Sequence, residues 1–319
     1  MSWIRWLFGA LGLASLAWVV RDYGVDRLAE EIRRAGWLAV PLALTFVPTL
    51  LCYSLAWQIV AGGRGSPRLL ARYFRFTVIS IAWNNLSPFV KVLGEPVKVH
   101  LLEAITDRKT AIRSVVIYNI VHLAGTLGAF ALAALLIPVV YAVGDGVRLA
   151  CWLSVGAFTA LGLLLFQLPR IAHGFLRRKH LRSIRHAALW LRWSLHKVGY
   201  FFSHRRGALA GALALEVAAR FVEGLTFWVA FLIIREPIAL VDSAFLEVGR
   251  ALADNAFFFV PYQMGSRELG ISLFLREVLG SPAGGFVAAA FLYRLVEIAW
   301  MAVGYMLWIT RGSSARSVT

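Results

Sequence analysis

Two short stretches of this sequence place ionisable side chains beside residues that interrupt helices. The first is "NNLSPFVKVLGEPVK" at residues 84–98, and the second is "DNAFFFVPYQMGSRE" at residues 254–268. Each stretch runs in the order Asn, Pro, Gly, Glu, with a basic residue nearby. The residues that carry this order are Asn85, Pro88, Gly94, Glu95 and Lys98 in the first stretch and Asn255, Pro261, Gly265, Arg267 and Glu268 in the second.

The residue types predict that a new helix begins inside each stretch. Gly94 allows a turn, and Glu95 and Pro96 suit the first turn of a helix, where proline loses no hydrogen bond. In the second stretch, Ser266 is a natural N-cap and Glu268 follows it. Both stretches are therefore interpreted as broken helices.

A helix that begins beside a cation can bind an anion. Its first backbone N–H groups have no partner within the helix, and the helix dipole favours negative charge there. Lys91, Lys98 and Arg267 are the nearby cations. The predicted chemistry is recognition of a phosphate or carboxylate, with the glutamates either ordering these cations or binding the proton of a coupled cycle.

The composition places these charges inside a membrane protein. Of the 319 residues, 60% are hydrophobic and only 16% are charged, whereas soluble domains carry roughly 25% charged residues. Apolar runs of about 20 residues, the length that crosses a bilayer as a helix, recur along the chain. The fold class is predicted to be all-α and polytopic.

The apolar runs predict six spanning helices and two interrupted segments between them. The interrupted segments occupy residues 73–106 and 242–280. The six predicted spans lie at about residues 3–20, 37–60, 112–140, 148–168, 207–234 and 284–309.

The distribution of Lys and Arg orients the chain. The connection 169–206 carries ten Lys or Arg and no Asp or Glu, and the loops 62–75 and 107–113 are also basic. Cytoplasmic loops collect such residues, so all three connections and both termini are predicted to be cytoplasmic. The segment between 62–75 and 107–113 must then return to its own side, which a re-entrant hairpin achieves. A variant in which the hairpins cross fully remains open.

The basic connection 169–206 divides the single membrane domain, 1–319, into the halves 1–168 and 207–319. Each half contains one of the two hairpins. By the same charge argument they enter from opposite faces, as in an inverted repeat. Paired breaks of this kind indicate a substrate site near the bilayer midplane. The predicted substrate-binding residues are Asn85, Pro88, Lys91, Gly94, Glu95, Lys98, Arg250, Asp254, Asn255, Pro261, Gly265, Ser266, Arg267 and Glu268.

Further charges lie within the apolar spans. Glu216, Arg220 and Glu223 share one helix face, as do Arg294 and Glu297. In the second interrupted segment, Glu247, Arg250 and Asp254 are predicted to form another charged stripe. A charge at membrane depth costs at least about 2.5 kcal/mol and usually faces the bundle interior. Salt bridges that only join helices explain the first group equally well, whereas Arg250 and Asp254, next to the second break, favour a functional role.

Several kinds of chemistry lack sequence support. Cys52 and Cys151 both fall in apolar runs, without the spacing of a zinc site or a disulfide framework. The sequence contains no nucleotide-binding loop and no soluble catalytic domain. The chain is therefore predicted to have no catalytic residues, no metal, no cofactor and no nucleic-acid partner.

The two interrupted stretches resemble the signature segments of the flippase-like membrane proteins. That group includes the membrane domain of lysylphosphatidylglycerol synthases. The forms "GEPVK" and "PYQMGSRE" are most similar to the hopanoid-associated HpnL-type branch. Two departures concern the substrate: Lys98 stands where many relatives have Arg, and Ser266-Arg267 replaces a glycine-rich "GGIG"-like segment. The resemblance covers nearly the whole chain and implies lipid translocation through a re-entrant, inverted-repeat fold.

The predicted function is a lipid flippase that moves a lipid with an anionic or polar headgroup, a hopanoid-related lipid being one candidate. The alternatives are a membrane transferase and a scaffold for lipid-biosynthesis enzymes. The predicted location is the bacterial inner membrane. Anionic lipid headgroups are the expected partners of the basic loop 170–206, and homo-oligomerisation is left open.

The predicted topology can be tested by cysteine labelling. In a variant without Cys52 and Cys151, Asp145→Cys should react with an impermeant reagent from outside the cell. His180→Cys should react only after the cytoplasmic side is opened. Labelling of both positions from one side would contradict the assignment.

Overall fold

A computed structural model describes residues 26, 30, 33, 35–62, 66–85, 93–176, 200–258, 263, 265–281 and 286–314. Within these ranges the regular structure is entirely helical. The helices are α1 (Ala39–Leu44), α2 (Phe46–Val60), α3 (Pro67–Asn84), α4 (Gly94–Leu102), α5 (Arg108–Val140), α6 (Asp145–Leu176), α7 (Arg206–Val222), α8 (Leu225–Ile233), α9 (Leu240–Ala256), α10 (Ser266–Glu277) and α11 (Phe286–Ser314).

Four of the predicted spans are confirmed as helical segments long and apolar enough to cross a membrane. They are Gly36–Val60, Arg108–Val140, Asp145–Gln167 and Phe286–Thr310. The predicted span at 3–20 lies outside the described residues. The total of six spans therefore stays a prediction.

The predicted span 207–234 is divided into α7 and α8 at Glu223 and Gly224. Here the N–H of Gly224 donates to the carbonyl of Phe221 and that of Thr226 to Glu223, so the chain makes a tighter turn than an α-helix. The backbone of α9 approaches this turn closely. A Cβ added to Gly224 would lie 2.5 Å from Ala244 Cα. The expectation of one uninterrupted helix was therefore wrong at this point.

Both interrupted segments consist of a long helix followed by a short one. At 1.5 Å per residue, α4 is about 14 Å long and α10 about 18 Å long, less than the roughly 30 Å of a hydrocarbon core. The preceding helices α3 and α9 have 18 and 17 residues. Neither return helix is long enough to cross alone, as a re-entrant hairpin requires, and the re-entrant arrangement itself stays a prediction.

The helix contacts repeat between the two halves. In each half the short helix packs on its own long partner, α4 on α3 and α10 on α9. The long helix also packs on a long helix of the other half: α3 on α11, and α9 on α5. The equivalent helices α2 and α7 pack on each other. These contacts between helices of opposite halves bring the two interrupted segments to the same central region.

Helix α6 stands apart from that arrangement and packs mainly on α5. Only 6% of its most apolar window is buried, against 33–44% in the other three apolar spans. Its side chains are nevertheless strongly apolar. In a bilayer, lipid would cover this surface.

Close helix contacts predict which glycines tolerate a methyl group. In α11, a Cβ on Gly304 would lie 2.5 Å from Ala82 Cβ and 2.8 Å from the Val78 carbonyl oxygen of α3. Around Gly211 in α7 there is nothing within 4 Å. Gly304→Ala should therefore destabilise the protein by about 1–3 kcal/mol through overpacking. Gly211→Ala should leave stability unchanged or raised, because alanine favours helix. Melting in detergent would measure both, and equal melting temperatures would contradict this close packing.

Candidate functional site

A cavity of about 320 Å³ lies between the two interrupted segments. We refer to it as the charged cavity. Its wall combines residues of both segments with residues of the surrounding helices. Those that carry polar groups are Asn84, Asn85, Glu95 and Lys98 of the first segment, Arg250, Asp254, Asn255 and Gln263 of the second, and Tyr53, Thr77, Tyr118, His122, Arg220, Glu223, Glu297 and Trp300.

In the first segment, Asn84 joins the end of α3 to the start of α4. Its Oδ1 accepts a hydrogen bond of 2.7 Å from the backbone N–H of Gly94. Helix α4 begins at Gly94, as predicted. Gly94 was predicted to allow a turn, and it does so without a left-handed φ. A Cβ here would lie 2.4 Å from the Ser80 carbonyl oxygen, so glycine is needed for the close approach of the two helices.

Lys98 and Glu95 form a pair at the cavity wall. The Lys98 Nζ donates to Glu95 Oε1 at 2.9 Å and to Asn119 Oδ1 at 3.4 Å, while the Asn119 amide donates to the second oxygen of Glu95. The Nζ atom lies 5.0 Å from the ring centre of Tyr118 and 6.0 Å from that of Trp57. The ammonium group is thus stabilised by a carboxylate, an amide and two aromatic faces.

The second segment begins its short helix by a different device. Helix α10 starts at Ser266, and its N-cap is Gly265 with a φ of +84°. The Gly265 N–H donates to Glu268 Oε2 at 2.8 Å. The predicted N-cap, Ser266, was therefore wrong, because the chain enters the helix through a left-handed residue, which glycine adopts without strain.

Arg267 connects three parts of the second half. Its guanidinium donates to Glu297 Oε2 of α11 at 2.6 Å, to Asp254 Oδ2 of α9 at 3.1 Å and to Gln263 Oε1 in the break at 3.2 Å. Only 1% of the Arg267 side chain is exposed. It does not line the cavity. It lies behind Asp254 and Glu297 and holds them in the wall.

Arg250, in the second interrupted segment, is a cation that lines the cavity. It donates to both Glu247 and Asp254 on its own helix, α9, and lies 3.9 Å from Glu223. The predicted charged stripe along α9 is confirmed by these contacts. Asp254 Oδ2 therefore accepts hydrogen bonds from two arginines, Arg250 and Arg267. Asp254 Oδ1 is buried and has no hydrogen-bond partner among the described residues. That oxygen is an acceptor without a partner, in a residue that lines the cavity.

Four of the predicted substrate-binding residues take different positions relative to the cavity. They are Glu95, Lys98, Arg267 and Glu268. Glu95 and Lys98 line the cavity, and Arg267 supports its wall from behind. Glu268 does not line it and pairs with Arg294 at 3.1 Å. Gly265 is not among the lining residues either. Pro88, Lys91 and Pro261 lie outside the described residues, as does the side chain of Ser266.

Several charged residues of the spans take partners on other helices. Glu216 pairs with His122 at 2.7 Å rather than with Arg220, which lies 3.6 Å from Glu223. Arg294 and Glu297 share a helix face but bind Glu268 and Arg267 respectively. The predicted site omitted His122, Asn119, Glu223, Gln263 and Glu297. The sequence did contain one signal for this part of the site: Asn119 and His122 are polar residues three positions apart in an apolar span.

The cavity wall carries both signs of charge. Three cations and four carboxylates line it: Lys98, Arg220, Arg250, Glu95, Glu223, Asp254 and Glu297. Buried charges lose the solvation of water, and only fixed partners compensate for that loss. A wall of this kind can replace water around a polar group that enters it.

The family model described as lysylphosphatidylglycerol synthase TM region matches residues 4–304. The match includes both interrupted segments and every residue of the charged cavity. No curated protein and no solved structure gives a match. The family assignment therefore rests on the family model, together with the helical architecture described above.

The role of Arg267 predicts a stability effect. Arg267→Ala would leave the buried Asp254 and the partly buried Glu297 with fewer partners, which should destabilise the fold by about 3–5 kcal/mol. Arg267→Lys should recover only part of this, because an ammonium cannot bond in the fork geometry. Arg276→Ala, at an exposed position paired with Glu277, serves as the matched control. Melting temperatures in detergent would measure the difference, and equal values for Arg267→Ala and Arg276→Ala would exclude a clamping role.

Proposed function

The chain belongs to the lysylphosphatidylglycerol synthase transmembrane-region family, and we propose that it moves a lipid with a polar headgroup between the leaflets of a bilayer. The observation that carries the proposal is the charged cavity, which is enclosed by two interrupted helical segments in a strongly apolar chain. Interrupted helices at membrane depth are tolerated where they line such a cavity.

The physical task of a lipid translocase explains the chemistry of the wall. A headgroup that crosses the hydrocarbon core must exchange its water for other polar partners. The Lys98–Glu95 pair, Arg250 and Asp254 supply these partners in fixed positions. A cavity of about 320 Å³ accommodates a headgroup, whereas two acyl chains exceed it and would stay in the surrounding bilayer.

The mixture of charges supports a headgroup that carries a phosphate together with a hydrogen-bond donor. Lys98 and Arg250 can donate to phosphate oxygens. The free Oδ1 of Asp254 can accept from an amine or a hydroxyl group. A zwitterionic or anionic headgroup with such a donor fits this wall better than an apolar sterol-like ring.

The proposal includes finer expectations from the sequence. A hopanoid-related lipid remains one candidate substrate, as the HpnL-type resemblance implies. The bacterial inner membrane is the proposed location, with both termini cytoplasmic and the basic loop 170–206 on anionic lipid headgroups. Translocation without covalent chemistry is proposed, so no residue is assigned a catalytic role.

Lipid exchange in reconstituted liposomes tests the proposal. Wild-type protein should accelerate the passage of fluorescent lipids to the opposite leaflet, with rates that depend on the headgroup. Glu95→Gln removes the carboxylate that balances Lys98 and should lower the rate at least tenfold, equivalent to about 1.4 kcal/mol. Glu277→Gln removes an exposed carboxylate outside the cavity and should leave the rate unchanged.

Mass spectrometry of the same liposomes separates translocation from chemistry. A covalently altered lipid product would support the transferase alternative instead. A well-folded Glu95→Gln protein that exchanged lipids at the wild-type rate would remove Glu95 from the headgroup site.

A further inference from the structure

A second cavity, of about 290 Å³, lies where α2 ends and where α5 and α7 begin. It shares no lining residue with the charged cavity. Arg113 and Arg205 line it together with Thr110 and Ser114. We call it the arginine pocket.

The turn after α2 shapes this pocket. Gly62 has a φ of +81°, and its N–H donates to the Ile59 carbonyl at 3.1 Å. A Cβ at Gly62 would lie 3.0 Å from Arg205 Nη1. The guanidinium therefore lies directly against the backbone of the turn, which requires glycine both for its conformation and for this contact.

The two arginines of the pocket have no carboxylate partner among the described residues. The two acids near the start of α5, Glu103 and Asp107, interact with other residues. Hydrogen bonds from the Thr110 side chain and from the Thr110 N–H, the latter at 3.0 Å, hold the pKa of Asp107 below its usual value. Glu103 lies 3.5 Å from Arg108. The charge balance thus differs from that of the charged cavity, where each cation has a carboxylate nearby.

We propose that the arginine pocket binds a phosphate group at a site distinct from the charged cavity. Guanidinium groups bind phosphate oxygens through paired hydrogen bonds, and both arginines line the same pocket. Val60, Ile117 and Phe201 add apolar surface to its wall. A phosphate on a lipid and a free phosphate compound share this recognition chemistry.

Trp57 contacts residues of both the pocket and the charged cavity. Its indole N–H donates to Ser114 Oγ of the pocket at 3.2 Å, and its ring stacks on Tyr118 at 5.5 Å. Lys98 of the charged cavity lies over the same ring. Loss of the two pocket arginines should therefore leave the Lys98–Glu95 pair in place, so that the two sites can be tested separately.

Binding to the purified full chain in detergent tests the proposal. The probes are inorganic phosphate and a short-chain phosphatidylglycerol, each titrated calorimetrically. Arg113→Gln combined with Arg205→Gln should weaken binding of the phosphate-bearing probe at least tenfold. Arg148→Gln combined with Arg276→Gln removes the same charge at exposed positions elsewhere and should leave the affinity unchanged.

The two probes distinguish the sources of the phosphate. Arginine-dependent binding of the short-chain lipid alone assigns a lipid headgroup, whereas arginine-dependent binding of inorganic phosphate that competes with the lipid assigns a free phosphate compound. Should the double variant fold poorly, Arg113→Gln alone should still weaken binding measurably. Absence of binding in the wild type, or equal affinities of the Arg113/Arg205 variant and its control, would overturn the proposal.

Discussion

A carboxylate shared between two buried arginines holds the second half of this protein together. Asp254 Oδ2 accepts hydrogen bonds from Arg250, on its own helix, and from Arg267, on the short helix that follows the break. Arg267 extends the network to Glu297 on the last span. In an apolar surrounding each of these charges would be costly alone. Their mutual pairing fixes the relative positions of α9, α10 and α11, and this arrangement leaves the charged cavity beside them.

The two breaks reach a similar result by different local chemistry. At the first, an asparagine side chain satisfies the leading N–H of α4, and Gly94 permits the backbone of α3 to approach. At the second, a left-handed Gly265 turns the chain and Glu268 satisfies its N–H. In both cases a polar side chain accepts from a backbone N–H that has no partner within the new helix. The common order of residue types therefore reflects a common physical requirement rather than a common geometry.

Trp57 contacts residues of two cavities that differ in charge balance. In the charged cavity, cations and carboxylates alternate, so a headgroup with both kinds of polar group can replace existing pairs. In the arginine pocket, the cations have no such partners in the described part of the chain. The same membrane protein thus combines a charge-balanced interior site with a cationic site where three basic connections meet.

Much of this organisation follows from the sequence alone, because it depends on local periodicity and length. Apolar run length located four spans, the residue types located both breaks, and the spacing of Glu247, Arg250 and Asp254 placed them on one helix face. Tertiary structure decided which charges meet. Glu216 binds His122 rather than Arg220, Arg294 and Glu297 bind different partners on α10, and Gly224 divides a span because α9 packs against it. Helical spacing defines the face that a side chain shares with its neighbours along the chain. The partner across the interface depends on how the helices pack, which spacing along one helix does not specify.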